Sequence, residues 1–118
     1  MAVHLELGKK GEDLAVEYLC TRGFNILFRN WKYGRFEIDI IAIKDGMLHF
    51  VEVKLRSRAI HGDPEQNITR SKIKSLLKGI DGFLSQHTKY RDFRLDVLSI
   101  TLNEFGQTEY FMIADVYI

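Results

Sequence analysis

Asp39 and the run Glu52-Val53-Lys54 lie in the most apolar, most strand-like stretch of the chain, FEIDIIAIKDGMLHFVEVKLRS at 36–57, with Glu37 beside them. A strand bound for the interior does not ordinarily carry carboxylates, because an ionised group loses its hydration there. Asp45-Gly46 is a strong two-residue hairpin signal. With those residues as the turn, Lys44 pairs with Met47, Ile41 faces Phe50, Asp39 faces Glu52 and Glu37 faces Lys54. Alternation then puts Glu37, Asp39, Ile41, Phe50, Glu52 and Lys54 on one sheet face, and Ile38, Ile40, Val51 and Val53 on the other. Two carboxylates directly opposite each other repel, and in a partly dry site one of them is pushed to hold a proton. A divalent cation removes both problems. His4, His49, His61 and His87 have no metal-ligand spacing. An oxygen-only donor set favours Mg²⁺ or Mn²⁺ over zinc. Such a cation keeps several waters, leaving room for a phosphate and an attacking water. Lys54, on the same face as Glu52, can stabilise charge developing on a phosphate or hold that water. Together these residues have the chemistry of metal-assisted phosphodiester hydrolysis.

The plainer alternative is an edge strand with a solvated face and a Glu37–Lys54 ion pair. Ile41 and Phe50 on the carboxylate face weigh against it, because they imply that the face is covered. Glu12 falls early in the first helical pattern, at the border of its apolar stripe. It suits either a helix-start carboxylate favoured by the dipole or an outer metal ligand. Arg56, Arg58, Arg70, Lys72 and Lys74 follow the Glu-Val-Lys strand against only Asp63 and Glu65. They form either a basic rim for phosphate backbone or an ordinary solvated loop. Lys72 sits at the edge of a helical stripe and could face the cleft. Gln66 could position a water or phosphate, although a plain loop role is the stronger reading. Asp96 reads as a hydrogen-bonded structural residue. Trp31 and Tyr33 could stack on bases, but core packing or a homodimer contact suits them better.

The elements that must position these groups follow from periodicity. Leu5 to Thr21 is a helix stopped at Gly23. Phe24 to Trp31, Phe36 to Ile43 and Met47 to Leu55 are strands. Ser57 to Asn67, with Gly62 and Pro64, is a loop. Ile68 to His87 is a helix whose stripe is Ile73, Leu76, Leu77, Ile80, Phe83 and Leu84. Gly79 and Gly82 in that helix imply close packing. Phe93 to Leu102 and Glu109 to Ile118 are strands, with Phe105-Gly106 in a turn. The order is α-β-β-β-α-β-β. A helix between the third and fourth strands implies a crossover and a parallel pair. The fold class is α/β, with a mixed central sheet flanked by helices.

Bulk properties bound the reading. A chain of 118 residues is one domain by size. At 46% hydrophobic residues it can build a real core. The net charge of +1 excludes nucleic-acid binding by bulk charge and requires a local basic patch for it. Cys20 has no partner for a disulfide, which suits a reducing compartment. Neither a signal-peptide core nor a membrane-spanning run is visible, so a cytoplasmic protein with no membrane partner is expected.

Asp39 followed on the next strand by Glu52-Val53-Lys54 resembles the PD-(D/E)XK nuclease core, whose restriction-endonuclease-like order is αβββαβ. GKKGEDLAVEYLCTRGFNILFRNWKYGRFEIDIIA, FVEVKLRS and HGDPEQNITRSKIKSL together resemble the small bacterial YraN-like family. That family is described as predicted endonucleases similar to archaeal Holliday-junction resolvases. The resemblance covers nearly the whole chain, as far as the Leu95-Asp96-Val97 strand. It implies metal binding at Asp39 and Glu52 with help from the Val53 carbonyl, Lys54 acting on water or phosphate, and Glu12 as an accessory acid. Ile38 stands where the superfamily name has Pro. Phe36 stands where members of the family usually have Gly, and its bulk would narrow the mouth of the site. The implied activity is a Mg²⁺- or Mn²⁺-dependent endonuclease on DNA in preference to RNA, with branched or structured DNA favoured. The rival readings are a non-catalytic nucleic-acid-binding module on the same fold, and an interaction protein that pairs through Glu109–Ile118.

Overall fold

The computed structural model describes residues 2–57, 69–103 and 105–116, with backbone alone for residues 2–10 and 57. The elements are α1 (Ala2–Thr21), β1 (Asn25–Tyr33), β2 (Phe36–Lys44), β3 (Met47–Ser57), α2 (Arg70–Gln86), β4 (Phe93–Leu102) and β5 (Thr108–Ile113). This is the order expected from periodicity. The sheet runs β1-β2-β3-β4-β5. All neighbours are antiparallel except β3 and β4, which are parallel and joined by α2. The arrangement is compatible with a restriction-endonuclease-like core. The expected 57–67 loop lies outside the described residues, apart from Ser57, which ends β3.

Local chemistry sets the boundaries. α1 stops where Gly23 takes φ +90 and the amides of Arg22 and Phe24 turn back to the Leu19 carbonyl. α2 starts at Thr69, whose side chain accepts from the Lys72 amide at 3.1 Å. The β2–β3 turn is Asp45-Gly46, both at positive φ, and Lys44 pairs with Met47 as expected. β5 ends at Ile113, short of the expected Ile118. There the Asp115 amide donates to Asp96 Oδ1 at 2.8 Å and the Val116 amide donates to the Leu95 carbonyl. Past Ile113 the chain keeps following β4, displaced by one residue, and is held by these two bonds instead of by a regular strand ladder.

The sheet is covered on both faces. Against α2 lie Ile38, Ile41, Leu48, Phe50 and Leu95 with Ile73, Leu76, Ile80 and Phe83. Against α1 lie Ile40, Ala42, Val51, Leu98 and Ile100 with Ala15 and Leu19. Gly79 and Gly82 bring α2 onto the sheet, against Ile38 and the Tyr33 ring respectively. The strict alternation expected along β2 fails at one place. Ile38 and Ile41 face α2 while Ile40 faces α1, so the face pattern switches at Asp39. The β1–β2 ladder, whose register shifts between Ile26 and Phe28, skips a pair at the same level. It passes from Arg29–Ile40 to Trp31–Ile38, and between them Asn30 sits at φ +52 across from Asp39. β2 and β3 also separate here, because their ladder ends at Ile40–Val51.

Candidate metal centre

The break in β2 gives Asp39 its position. Beyond Ile40–Val51 the two backbones no longer pair, and the Asp39 side chain takes the place of a ladder bond. Its Oδ2 accepts from the Val53 amide at 2.8 Å. A carboxylate that replaces a ladder acceptor is fixed in direction. The expected facing of Asp39 and Glu52 holds in space, with the two carboxyl groups in hydrogen-bond contact. Burial pushes the Asp39 carboxyl up from the usual 3.8 to about 7, and the nearby charge of Glu52 adds to the rise. The Val53 amide opposes the shift, and Glu12 adds a smaller upward push.

Glu52 is buried, at 5% exposure, and two lysines neutralise it. Its Oε2 lies 3.3 Å from Lys54 Nζ and 3.2 Å from Lys72 Nζ. Lys72 therefore reaches the cleft from the first turn of α2. Among the described residues Asp39 has no such cationic partner, which is consistent with the proton residing on it. The Glu37–Lys54 pairing expected from the register is absent. Glu37 is exposed and lies 3.7 Å from Lys32 on β1, because β2 has already left β3 at that level.

Glu12 lies in the middle of α1, since that helix begins at Ala2. The helix-start dipole role is thereby excluded, because the effect fades within the first turn. Its Oε2 accepts from Asn30 Nδ2 at 3.2 Å, and the adjacent Asp13–Arg29 ion pair at 2.7 Å ties the same stretch of α1 to β1. Asn30 is a site residue that the reading of motifs passes over. Its signal in the sequence is weak: Asn is among the few non-glycine residues that tolerate positive φ, and a break inside a strand pattern is otherwise invisible.

The expected basic rim divides. Arg70, Lys72 and Lys74 are exposed on α2. Arg56 is 9% exposed, so it is not part of a solvated surface. Strand alternation sets it on the α2 face with Glu52 and Lys54, and among the described residues its Nε and Nη1 have no hydrogen-bond partner. Arg58 and Gln66 lie outside the described residues. Asp96 is structural, as expected: it pairs with His49 Nδ1 at 2.7 Å and receives the Asp115 amide. Trp31 packs edge-on against Phe83, and Tyr33 covers Gly82.

The donor set suits a small hard cation. Asp39 and Glu52 supply two carboxylates, and the β3 edge that β2 leaves unpaired beyond Val51 offers backbone carbonyl oxygen. Among the described residues no group of three or more His, Cys, Asp and Glu side chains forms a metal cage. A cation here would therefore keep much of its water, as Mg²⁺ does.

The sequence from Gly11 to Ile100, which spans this entire arrangement, matches the model of the uncharacterised protein family UPF0102. A UPF0102 protein of Flavobacterium psychrophilum is 40% identical over 100 residues, covering 85% of this chain and 84% of that protein. One of Flavobacterium johnsoniae is 43% identical over 97 residues, covering 82% and 77%. One of Bacteroides fragilis is 37% identical over 116 residues, covering 98% and 93%. With a match of this extent and relatives of this identity along most of their lengths, the chain belongs to the UPF0102, or YraN-like, family.

Proposed function

We propose that this protein is a metal-dependent endonuclease of the PD-(D/E)XK kind, acting on DNA, with branched or structured DNA as the favoured substrate. The observation that carries the reading is the meeting of Asp39 and Glu52 at the point where β2 and β3 part, with Lys54 on the same Glu52 oxygen. A carboxyl pair that must hold a proton when empty is poorly suited to a structural role and well suited to a cation. Mg²⁺ or Mn²⁺ would be held by Asp39, Glu52 and the Val53 carbonyl, and would supply charge neutralisation at the scissile phosphate.

The chain's own groups divide the remaining work. The Val53 amide holds the Asp39 carboxyl in one orientation. Lys54, released from Glu52, offers its ammonium to the attacking water or to the phosphate oxygens. Lys72 guards the other side of Glu52 and faces the incoming strand. Glu12, held by Asn30, is an accessory acid at the edge of the pair.

The test is cleavage of branched, single-stranded and duplex DNA by the intact protein with Mg²⁺ or Mn²⁺. Asp39→Asn and Glu52→Gln should each lower the rate at least about a hundredfold, in line with the loss of a group that acts on developing charge. Folded Asp39→Asn protein with undiminished cleavage would contradict the assignment.

A further inference from the structure

The β1–β2 turn and α2 enclose a groove whose cations have no carboxylate partner among the described residues. Arg35 and Phe36 form one wall, and Arg70, Lys74, Ser75 and Lys78 line the other, around a space of about 330 Å³. Among the described residues no carboxylate lines it. A second space of about 270 Å³ continues past Ser75 to Lys72, with Glu37 at its side. Lys72 is the residue that holds Glu52 at 3.2 Å, so the groove opens towards the candidate metal centre.

Among the described residues Arg35, Arg70, Lys74 and Lys78 make no ion pair. The Arg35 guanidinium instead lies 5.3 Å over the Phe36 ring. Arg70, Lys74 and Lys78 follow one another at single-turn spacing on α2, where like charges repel. The first turn of α2 carries no acid, so Arg70 and Lys72 also oppose the positive end of the helix. Such a row has an internal cost that a polyanion would relieve. Its step is about 6 Å per cation, on the scale of the step between phosphates in an extended strand. Spaces of a few hundred Å³ suit a ligand of drug-like size. That is the scale of one or two nucleotides and far short of a paired duplex.

We propose that this groove holds the phosphate backbone of a single-stranded DNA arm leading away from the candidate metal centre. Arg35 and Lys78 are its outer contacts. The direction of the arm rests on the nuclease reading, whereas the binding does not. The experiment is a salt titration of binding, by fluorescence anisotropy with Ca²⁺ present, using a blunt duplex and the same duplex with a single-stranded arm. Arg35→Ala/Lys78→Ala is compared with the intact protein and with Lys89→Ala/Arg91→Ala, which removes equal charge from exposed positions outside the groove. The groove variant should bind the armed duplex about tenfold more weakly. Its slope of log affinity against log salt should flatten by about 1.4, at roughly 0.7 per lost single-strand contact. The blunt duplex should change less than about twofold, and the control variant should match the intact protein on both. An unchanged slope in the folded groove variant, or an equal loss on blunt duplex, would overturn the proposal. If the groove variant loses arm binding while the intact protein shows no metal-dependent cleavage, the nuclease reading falls and the groove stands. If Asp39→Asn abolishes cleavage while the groove variant binds normally, the reverse holds.

Discussion

Asp39 is a residue whose position costs the metal-free protein stability. Its carboxyl holds a proton up to about pH 7 in the fold but gives it up near 3.8 in the unfolded chain. Between those values the folded state binds more protons than the unfolded state, so stability falls as pH rises through that window. Above it the loss is complete and amounts to a few kcal/mol at most, since each tenfold change in proton affinity corresponds to about 1.4 kcal/mol. Asp39→Asn keeps the shape and never ionises. Chemical denaturation in EDTA from pH 4 to 8 should show the intact protein losing stability relative to Asp39→Asn, and the variant at least equal to it at pH 8. An intact protein that gains on the variant as pH rises would contradict the burial of this pair. Metal should reverse the trend, because the cation binds the ionised pair and competes with the proton. The nearness of Asp39 and Glu52 was legible in the sequence, since the turn at Asp45-Gly46 set the register of Ile40 on Val51, one step short of that pair. The partners were less so. Lys54 turns to Glu52 on its own strand instead of to Glu37, and Arg56 is buried, because pairing arithmetic does not register where two strands part.

Among the elements, the level of Asn30 and Asp39 sets the geometry of the site. The β1 ladder skips a pair, β2 changes face and β3 separates there, which leaves a gap where the α1 side and the α2 side both reach Asp39. α2 forms the other wall, and its approach to the sheet depends on small residues. A Cβ on Gly82 would overlap the Tyr33 ring. Gly82→Ala should therefore destabilise the protein by about 1–2 kcal/mol through overpacking. In a Tyr33→Ala background the same substitution should stabilise by up to about 1 kcal/mol, from helix propensity alone. The measurement is a double-mutant cycle on denaturation midpoints, and equal effects in both backgrounds would contradict this contact. Element order, the parallel β3–β4 pair and the close approach at the two α2 glycines were all legible from periodicity, the hairpin signal and composition. The break in alternation was not, because Ile38, Ile40 and Ile41 are all apolar and a pattern of period two cannot show which face each one takes. The end of β5 was hidden for a related reason: an amide taken by Asp96 from across the sheet decides it, not local propensity.

For the whole molecule, a net charge of +1 conceals a separation of charge. Arg70, Lys72, Lys74 and Lys78 lie along the N-terminal part of α2 and meet Arg35 across the groove, while the acidic pair lies at its inner end. Composition excluded bulk electrostatic binding and asked for a local patch, and the fold assembles one from two segments distant in the sequence. Arg35 escaped the sequence reading because it is separated by the hairpin from every cation it joins. Among the described residues no helix is long and apolar enough to cross a membrane. The account turns on whether the Asp39–Glu52 pair takes a cation, and anomalous diffraction from crystals grown with Mn²⁺ above pH 7.5 measures that directly. The predicted result is an anomalous peak within about 2.0–2.3 Å of an oxygen from each carboxylate, with the Glu52–Lys54 contact loosened and no peak in Asp39→Asn crystals. Saturating Mn²⁺ with no peak at this position, and the two carboxyl groups still joined to each other, would contradict it.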